Sequence, residues 1–293
     1  MASIPVKDMI FEVDIQGRKD DPPIVLIAGL AGQLTSWREE FVKELASKDF
    51  CVIRFDNRDA GLSSRVTEPR HDHAKVPESV RILNESATYT IFDMAGDLDN
   101  LLDQLGIKSA HIVGMSMGGM IAQAFAINHP EKVRSLCSIM STNGAQGVGM
   151  PSELGLQVVL KPPPQGREAI IEHELENYKT LSSPGFPFDE QKARRYLEAQ
   201  YDRNYDMEGA ARQLFAILAT GDRSEELNKI SCPTLVIHGD ADPLVDVSGG
   251  IATKEAIPGA KLQIIAGMGH EIPEALFPEI AELISQNANE NRS

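Results

Sequence analysis

Hydrophobic and polar positions along this chain change period several times, and each change predicts an element. Residues near 7–16 alternate as one arm of a hairpin does, and residues near 24–28 begin a continuous apolar run, Ile24-Val25-Leu26-Ile27. A third strand is expected around 50–55. Residues about 89–105 carry Ile91, Met94, Leu98, Leu101, Leu102 and Leu105 at helical spacing, and Gly106 suits the left-handed residue that closes a helix. The strand Ala110-His111-Ile112-Val113 then leads into a helix-like run from Gly119 to Ala126, and Val133 to Met140 form another strand. Later apolar runs begin at Leu235 and Lys261. Strands with so few polar positions suit a parallel sheet covered on both faces, which places the chain in the α/β class.

Between about 145 and 225 the pattern changes. No strand-like run occurs there, and Pro162-Pro163-Pro164 and Ser183-Pro184-Gly185-Phe186-Pro187 interrupt the segment. Helices are expected near 167–181, 189–204 and 207–220. The apolar residues Leu154, Leu156, Val159, Tyr178, Phe186, Tyr196, Tyr201, Leu214, Phe215 and Leu218 are read mostly as the packing core of this insertion.

The strand-to-helix junction at 114–118 reads Gly114-Met115-Ser116-Met117-Gly118. A serine on such a turn sits at a helix N-terminus, where free N–H groups favour developing negative charge. Taken alone, the pentapeptide also admits the reading of a glycine-rich turn without chemistry, as the lesser alternative. A serine nucleophile needs a base, and the base needs an orienting carboxylate. The histidines are His71, His73, His111, His129, His173, His238 and His270. The run Leu235-Val236-Ile237-His238-Gly239 ends in Asp240-Ala241-Asp242-Pro243, so two carboxylates fall at a strand's carboxyl end. Only His270, in Gly267-Met268-Gly269-His270-Glu271, follows them, again directly after an apolar run. Nucleophile, acid and base thus all fall on loops at the sheet edge where open α/β sheets bind ligands.

On these motifs the chain resembles the α/β-hydrolase superfamily over nearly its whole length. The resemblance implies a mostly parallel eight-stranded sheet with helices on both faces and a helical cap inserted after the sixth strand. The core would be residues 1–144 and 226–293, and the cap residues 145–225. It also implies Ser116 as nucleophile, Asp242 as acid, with Asp240 as the alternative, and His270 as base. A triad acid one strand earlier would fall near Ser141-Thr142-Asn143, which holds no carboxylate. The oxyanion hole would be the N–H groups of Met117 and Leu30, the latter in Ala28-Gly29-Leu30-Ala31-Gly32. The turn Asp56-Asn57-Arg58-Asp59-Ala60-Gly61-Leu62-Ser63 is read as scaffold. With Ala219-Thr220-Gly221-Asp222-Arg223, it looks most like the branch of aclacinomycin methylesterase-type carboxylic-ester hydrolases. The expected activity is hydrolysis of esters with small to medium apolar acyl groups, without cofactor or metal. Carbon–carbon hydrolase, cofactor-free haloperoxidase or perhydrolase activity, and a triad-retaining ligand receptor remain alternatives. Relatives with an aspartate nucleophile do not fit, because the elbow carries Ser116. Prolyl aminopeptidase relatives usually place tryptophan after the serine, where this chain has Met117.

Composition changes the picture in two respects. The net charge of −15 disfavours nucleic acid and anionic membranes as partners, leaving a small-molecule ester and a monomer or small homo-oligomer. Cys51, Cys137 and Cys232 lie in or beside apolar runs and are expected as reduced thiols, and no Cys or His spacing suggests zinc. Met1 to Lys7 lack the apolar stretch of a signal peptide and no run is long enough to span a bilayer, so a cytoplasmic location is expected. Trp37 is read as packing at the start of a helix.

Overall fold

The computed structural model describes residues 1–66, 68, 76–84 and 86–290; His71 and His73 lie outside the described residues. The strands are β1 (Ala2–Val6), β2 (Met9–Gln16), β3 (Pro23–Ile27), β4 (Cys51–Phe55), β5 (Ala110–Met115), β6 (Val133–Ile139), β7 (Thr234–Gly239) and β8 (Lys261–Ile265). They form one sheet in the order β1-β2-β4-β3-β5-β6-β7-β8. The β1–β2 and β2–β4 pairs are antiparallel and all others parallel. The helices are α1 (Glu39–Ala46), α2 (Ile91–Gln104), α3 (Met117–Asn128), α4 (Glu153–Leu160), α5 (Arg167–Leu181), α6 (Glu190–Arg203), α7 (Met207–Ala219), α8 (Ser224–Leu227), α9 (Val247–Ala256) and α10 (Phe277–Asn289). The connection from β6 to β7 is the helical segment α4 to α8, as the resemblance implies.

The continuous apolar strands follow from burial on both faces. Side chains alternate across a strand, so Val25 and Ile27 of β3 pack with Leu98 and Leu101 of α2 and Ile121 and Phe125 of α3. Ile24 and Leu26 point the other way, towards Phe41 and Leu45 of α1 and Ile280 and Ile284 of α10. Each of these side chains contributes about 1.5–3 kcal/mol on burial. The helix at 89–105 is realised as α2, opened by a reciprocal cap: Thr90 N–H donates to Asp93 Oδ2 at 2.8 Å, and Asp93 N–H donates to Thr90 Oγ1 at 3.3 Å. Gly106 follows at φ +71°. In the insertion, Asp189 and Asp206 cap α6 and α7 by accepting from Lys192 and Gly209 N–H.

Three features depart from the sequence reading. The hairpin begins earlier than residue 7: β1 pairs with β2, and Lys7 makes the turn at φ 55°. A short edge strand containing Pro5 has too weak an alternation to stand out. Helix α4 was not expected, because its apolar residues keep no helical period and Gly155 interrupts them. Finally, Leu154, Leu156, Phe215 and Leu218 are not insertion core but are 61%, 44%, 53% and 58% exposed. A Cβ on Gly155 would lie 2.0 Å from the Pro243 carbonyl oxygen, so α4 approaches the sheet edge through its glycine, and the flanking leucines face outward.

Two glycines separate steric from conformational cost. A Cβ at Gly114 would lie 2.0 Å from the Gly118 carbonyl oxygen, whereas one at Gly106 meets nothing within 4 Å. Gly106→Ala should therefore cost only the strain of positive φ, about 1 kcal/mol. Gly114→Ala should cost more than about 3 kcal/mol or leave no soluble protein. Denaturant unfolding of the two variants checks this, and equal costs would contradict it.

Candidate active site

Ser116 takes φ 54° and ψ −123° between β5 and α3. The neighbours that force this are backbone. A Cβ at Gly118 would lie 2.2 Å from the Ile27 carbonyl oxygen, so α3 crosses β3 too closely for any side chain there. Ser116 N–H donates to the Ile139 carbonyl at 2.9 Å, and the Ser116 carbonyl accepts from Gly119 N–H at 2.9 Å and Ser141 Oγ–H at 2.8 Å. Both backbone groups are committed, and the hydroxyl projects from the turn.

The structure brings Ser116, His270 and Asp242 together. His270 Nδ1 lies 2.7 Å from Asp242 Oδ2, and His270 Nε2 lies 3.0 Å from Ser116 Oγ. An ionised carboxylate only accepts, so Nδ1 carries the proton and Nε2 offers its lone pair to the serine. The other oxygen, Asp242 Oδ1, accepts from Leu244 and Val245 N–H at 2.8 and 2.9 Å. Burial pushes the Asp242 carboxyl up. Hydrogen bonds from His238 and His270, the His270 charge and the Val245 amide outweigh it and hold the group well below the usual carboxylate range. His238, on β7 and fully buried, donates from Nε2 to the Val245 carbonyl at 2.7 Å and lies 3.5 Å from Asp242 Oδ2. Asp240 is exposed and accepts from Gly267 N–H at 2.7 Å, so it braces the histidine loop rather than the imidazole.

That loop is stitched to the segment between α5 and α6. His270 N–H donates to the Leu181 carbonyl at 2.8 Å, Gly269 N–H to Ser183 Oγ at 2.9 Å, and Gly185 N–H to the Gly267 carbonyl at 2.9 Å. Glu271 adds side-chain contacts: Tyr178 O–H donates to Oε2 at 3.3 Å and Ser183 N–H to Oε1 at 3.4 Å. Burial pushes the Glu271 carboxyl above its ordinary value, and the hydrogen bonds from Ser183 and Tyr178 and the Arg38 charge offset this only in part.

Above the serine lies a chamber of about 480 Å³. Its walls include Trp37, Val159, Tyr196, Leu214 and Leu244, with Ser116 and His270 at the floor. A side compartment of about 300 Å³ shares Leu30, Glu174, Tyr178 and Met207 with it and continues to Gln200 and Tyr201. Trp37 stacks on Phe41 at 5.4 Å and is also chamber wall, so packing and lining coincide in one residue. Leu30 lines the chamber beside Gly29, whose Cβ would lie 3.2 Å from that of Ser116. Met117, at the first turn of α3, is buried.

The 56–63 turn is structural. Asp56 accepts from Leu34 N–H at 2.6 Å and Leu62 N–H at 2.8 Å and pairs with Arg203 at 2.7 Å. Arg58 makes two bonds of 2.6 Å to Asp97, and Arg212 of α7 pairs with Asp59 at 2.8 Å. Arg223 is buried, bonded to Gln123 and the Thr142 carbonyl, and burial pushes it down to about 10. Among the other described histidines, His111 bonds Ser135, His129 stacks on Phe125, and His173 of α5 lines the chamber. Cys51 and Cys137 are buried and Cys232 half-buried, all three as free thiols. Among the described residues, no cluster of three or more His, Cys, Asp or Glu could hold a metal ion, and no helix is long and apolar enough to cross a membrane. His173, His238 and Glu271 were not singled out from sequence; only adjacency to His270 and to the acid turn marked the last two.

The family model described as alpha/beta hydrolase fold matches residues 22–274. Rhodomycin D methylesterase of Streptomyces sp. (strain C5) is 30% identical, over 92% of this chain and 91% of that protein. The enzyme of the same name from Streptomyces peucetius is 29% identical over the same shares. Among solved structures, a meta-cleavage product hydrolase from Pseudomonas fluorescens IP01 superposes with a TM-score of 0.76 at 23% identity, covering 99% of this chain and 98% of that one.

The raised Glu271 carboxyl has a sign that can be read in stability. The folded chain holds this proton more tightly than the unfolded chain. The resulting stabilisation is complete below the ordinary glutamate value and is lost as pH rises through the raised one. Glu271→Gln removes the titration. Relative to that variant, the wild type should lose stability as pH rises from about 4 through the raised value. Paired thermal or urea unfolding at both ends checks it, and a difference that does not change with pH refutes it.

Proposed function

The chain belongs to the α/β-hydrolase family, and from that premise we propose that it is a serine hydrolase of carboxylic esters in which Ser116, His270 and Asp242 are the catalytic triad. The observation that carries this reading is the continuous relay from Asp242 Oδ2 through His270 to Ser116 Oγ, at 2.7 and 3.0 Å, on the floor of the chamber. His270 takes the serine proton as Oγ attacks the ester carbonyl carbon, and Asp242 stabilises the imidazolium that forms. The tetrahedral oxyanion is held by the N–H groups of Leu30 and Met117. Adjacent amides are committed elsewhere: Ala31 N–H to Gln213 Oε1, Gly32 N–H to the Gly29 carbonyl, and Gly119 and Met120 N–H to the Ser116 carbonyl. Each oxyanion donor is worth on the order of 3 kcal/mol in the transition state. His270 then protonates the leaving alcohol, and water attacks the acyl-enzyme with the same histidine as base.

The chamber extends the acyl range. Its volume of about 480 Å³ lies within the range of pockets that enclose drug-sized ligands, so short acyl groups do not exhaust it. The relatives named as methylesterases favour a small leaving alcohol, which leaves the chamber to the acid part. On this reading residues 145–225 are the cap that encloses it.

The reading predicts saturable hydrolysis of p-nitrophenyl esters and of methyl esters of bulkier acids, lost in Ser116→Ala. Asp242→Asn should lower kcat on the order of 10⁴-fold with little change in KM, because the imidazole then loses its tautomer. Initial rates on both ester series test this. No turnover on any ester, with Ser116 still labelled by a fluorophosphonate, would transfer the triad to carbon–carbon cleavage or perhydrolysis.

A further inference from the structure

Helix α5 turns one face to the chamber. His173, Glu174, Asn177, Tyr178 and Leu181 all line it, and their spacing is one side of a 3.6-residue helix. Four of the five can hydrogen-bond. Much of the remaining wall is apolar, with Val158 and Val159 from α4 and Met207, Ala210 and Leu214 from α7. The chamber is therefore two-faced, a polar strip against hydrocarbon.

Within the strip, Tyr178 is committed to Glu271. His173 is not committed. It is 7% exposed, lines the chamber, and its ring makes no hydrogen bond or ion pair with the described residues. An imidazole on a chamber wall without a protein partner is open to a ligand that enters the chamber. The triad does not use it, since His270 already bonds both Asp242 and Ser116.

We propose that His173 is a substrate-binding residue, whose imidazole hydrogen-bonds a hydroxyl or keto oxygen carried by the acid part of the ester, away from the scissile carbonyl. The proposal rests on the ester-hydrolase reading and assigns to it a residue that discriminates among substrates. A plain hydrocarbon acid satisfies the α4 and α7 wall and leaves His173 unpaired. An oxygenated one satisfies both walls. The hydrogen bond gives discrimination, because a site built around a polar group rejects the analogue that lacks its partner.

The test compares methyl naphthoate with a set of its ring-hydroxylated isomers, by calorimetric binding to Ser116→Ala protein. At least one isomer should bind about tenfold more tightly than the parent ester. Adding His173→Phe should bring that ratio to about one, and His173→Gln, which keeps a donor and an acceptor, should restore part of it. Nitrogen NMR of the imidazoles needs no variant at His173: the preferred isomer should shift one histidine resonance that methyl naphthoate leaves in place. A binding ratio near one for every isomer, or a preference that survives His173→Phe, overturns the proposal. Rates on the same esters with Ser116 intact are read separately. Absence of turnover beside a His173-dependent binding ratio would reject the ester-hydrolase reading and uphold the binding site.

Discussion

The structure depends on how closely α3 crosses the sheet. With hydrogen in place of Cβ at 114 and 118, the helix backbone comes within contact distance of β3 and β5. The turn between has no room for an ordinary conformation, and Ser116 is held at positive φ. That strain is a local cost, on the order of 1–3 kcal/mol, and the packing of both sheet faces over-determines it. Everything else is placed relative to this point. Because β5 to β8 run parallel, their carboxyl ends share one edge, and loops after β7 and β8 reach the serine with no special path.

The helical segment is part of this geometry as well as a cover. The strand-like exchange between residues 181–185 and 267–270 ties the base loop to the end of α5. On the opposite side, Arg203 and Arg212 reach from α6 and α7 to Asp56 and Asp59, which are buried carboxylates of the core. Asp56 also holds the N–H of Leu34, just beyond the Leu30 loop. Buried ion pairs are weak sources of net stability but fix orientation strictly, since breaking one leaves an uncompensated charge. The walls of the chamber and the groups on its floor are thus referenced to the same few polar contacts.

What could be read from the sequence divides along the same line. The elbow, the acid turn and the base loop were legible because each needs particular residue types at fixed spacing: small residues around Ser116, a carboxylate two residues after Asp240, a histidine after the last strand. Helices α5 to α7 were legible from the Gly and Pro breaks between them, to within a few residues. The walls of the chamber were not. A helix between solvent and a cavity has two wet faces, so Phe215 and Leu214 look alike in sequence although one is exposed and the other lines the site. His173 was hidden for the same reason: a polar residue on a helix reads as surface, and only the fold shows that its surface is internal.

The acid site shows how a buried charge can be kept available. Asp242 lies in a dry position, which by itself would drive it towards the neutral acid. Two backbone amides on Oδ1 and two imidazoles near Oδ2 reverse that tendency. His238 is locked by the Val245 carbonyl with its proton on Nε2, and the close approach of α9 at Gly250, where a Cβ would lie 2.5 Å from Nδ1, keeps the ring from turning. The carboxylate therefore stays ionised. An acid that stays charged in a dry place holds the imidazole in one tautomer and stabilises its cation more strongly than a solvated one, since the field between them is less screened. The polarity of the Asp242–His270–Ser116 chain is thus set by backbone amides and a second histidine, and the unprotonated Nε2 faces the Ser116 hydroxyl.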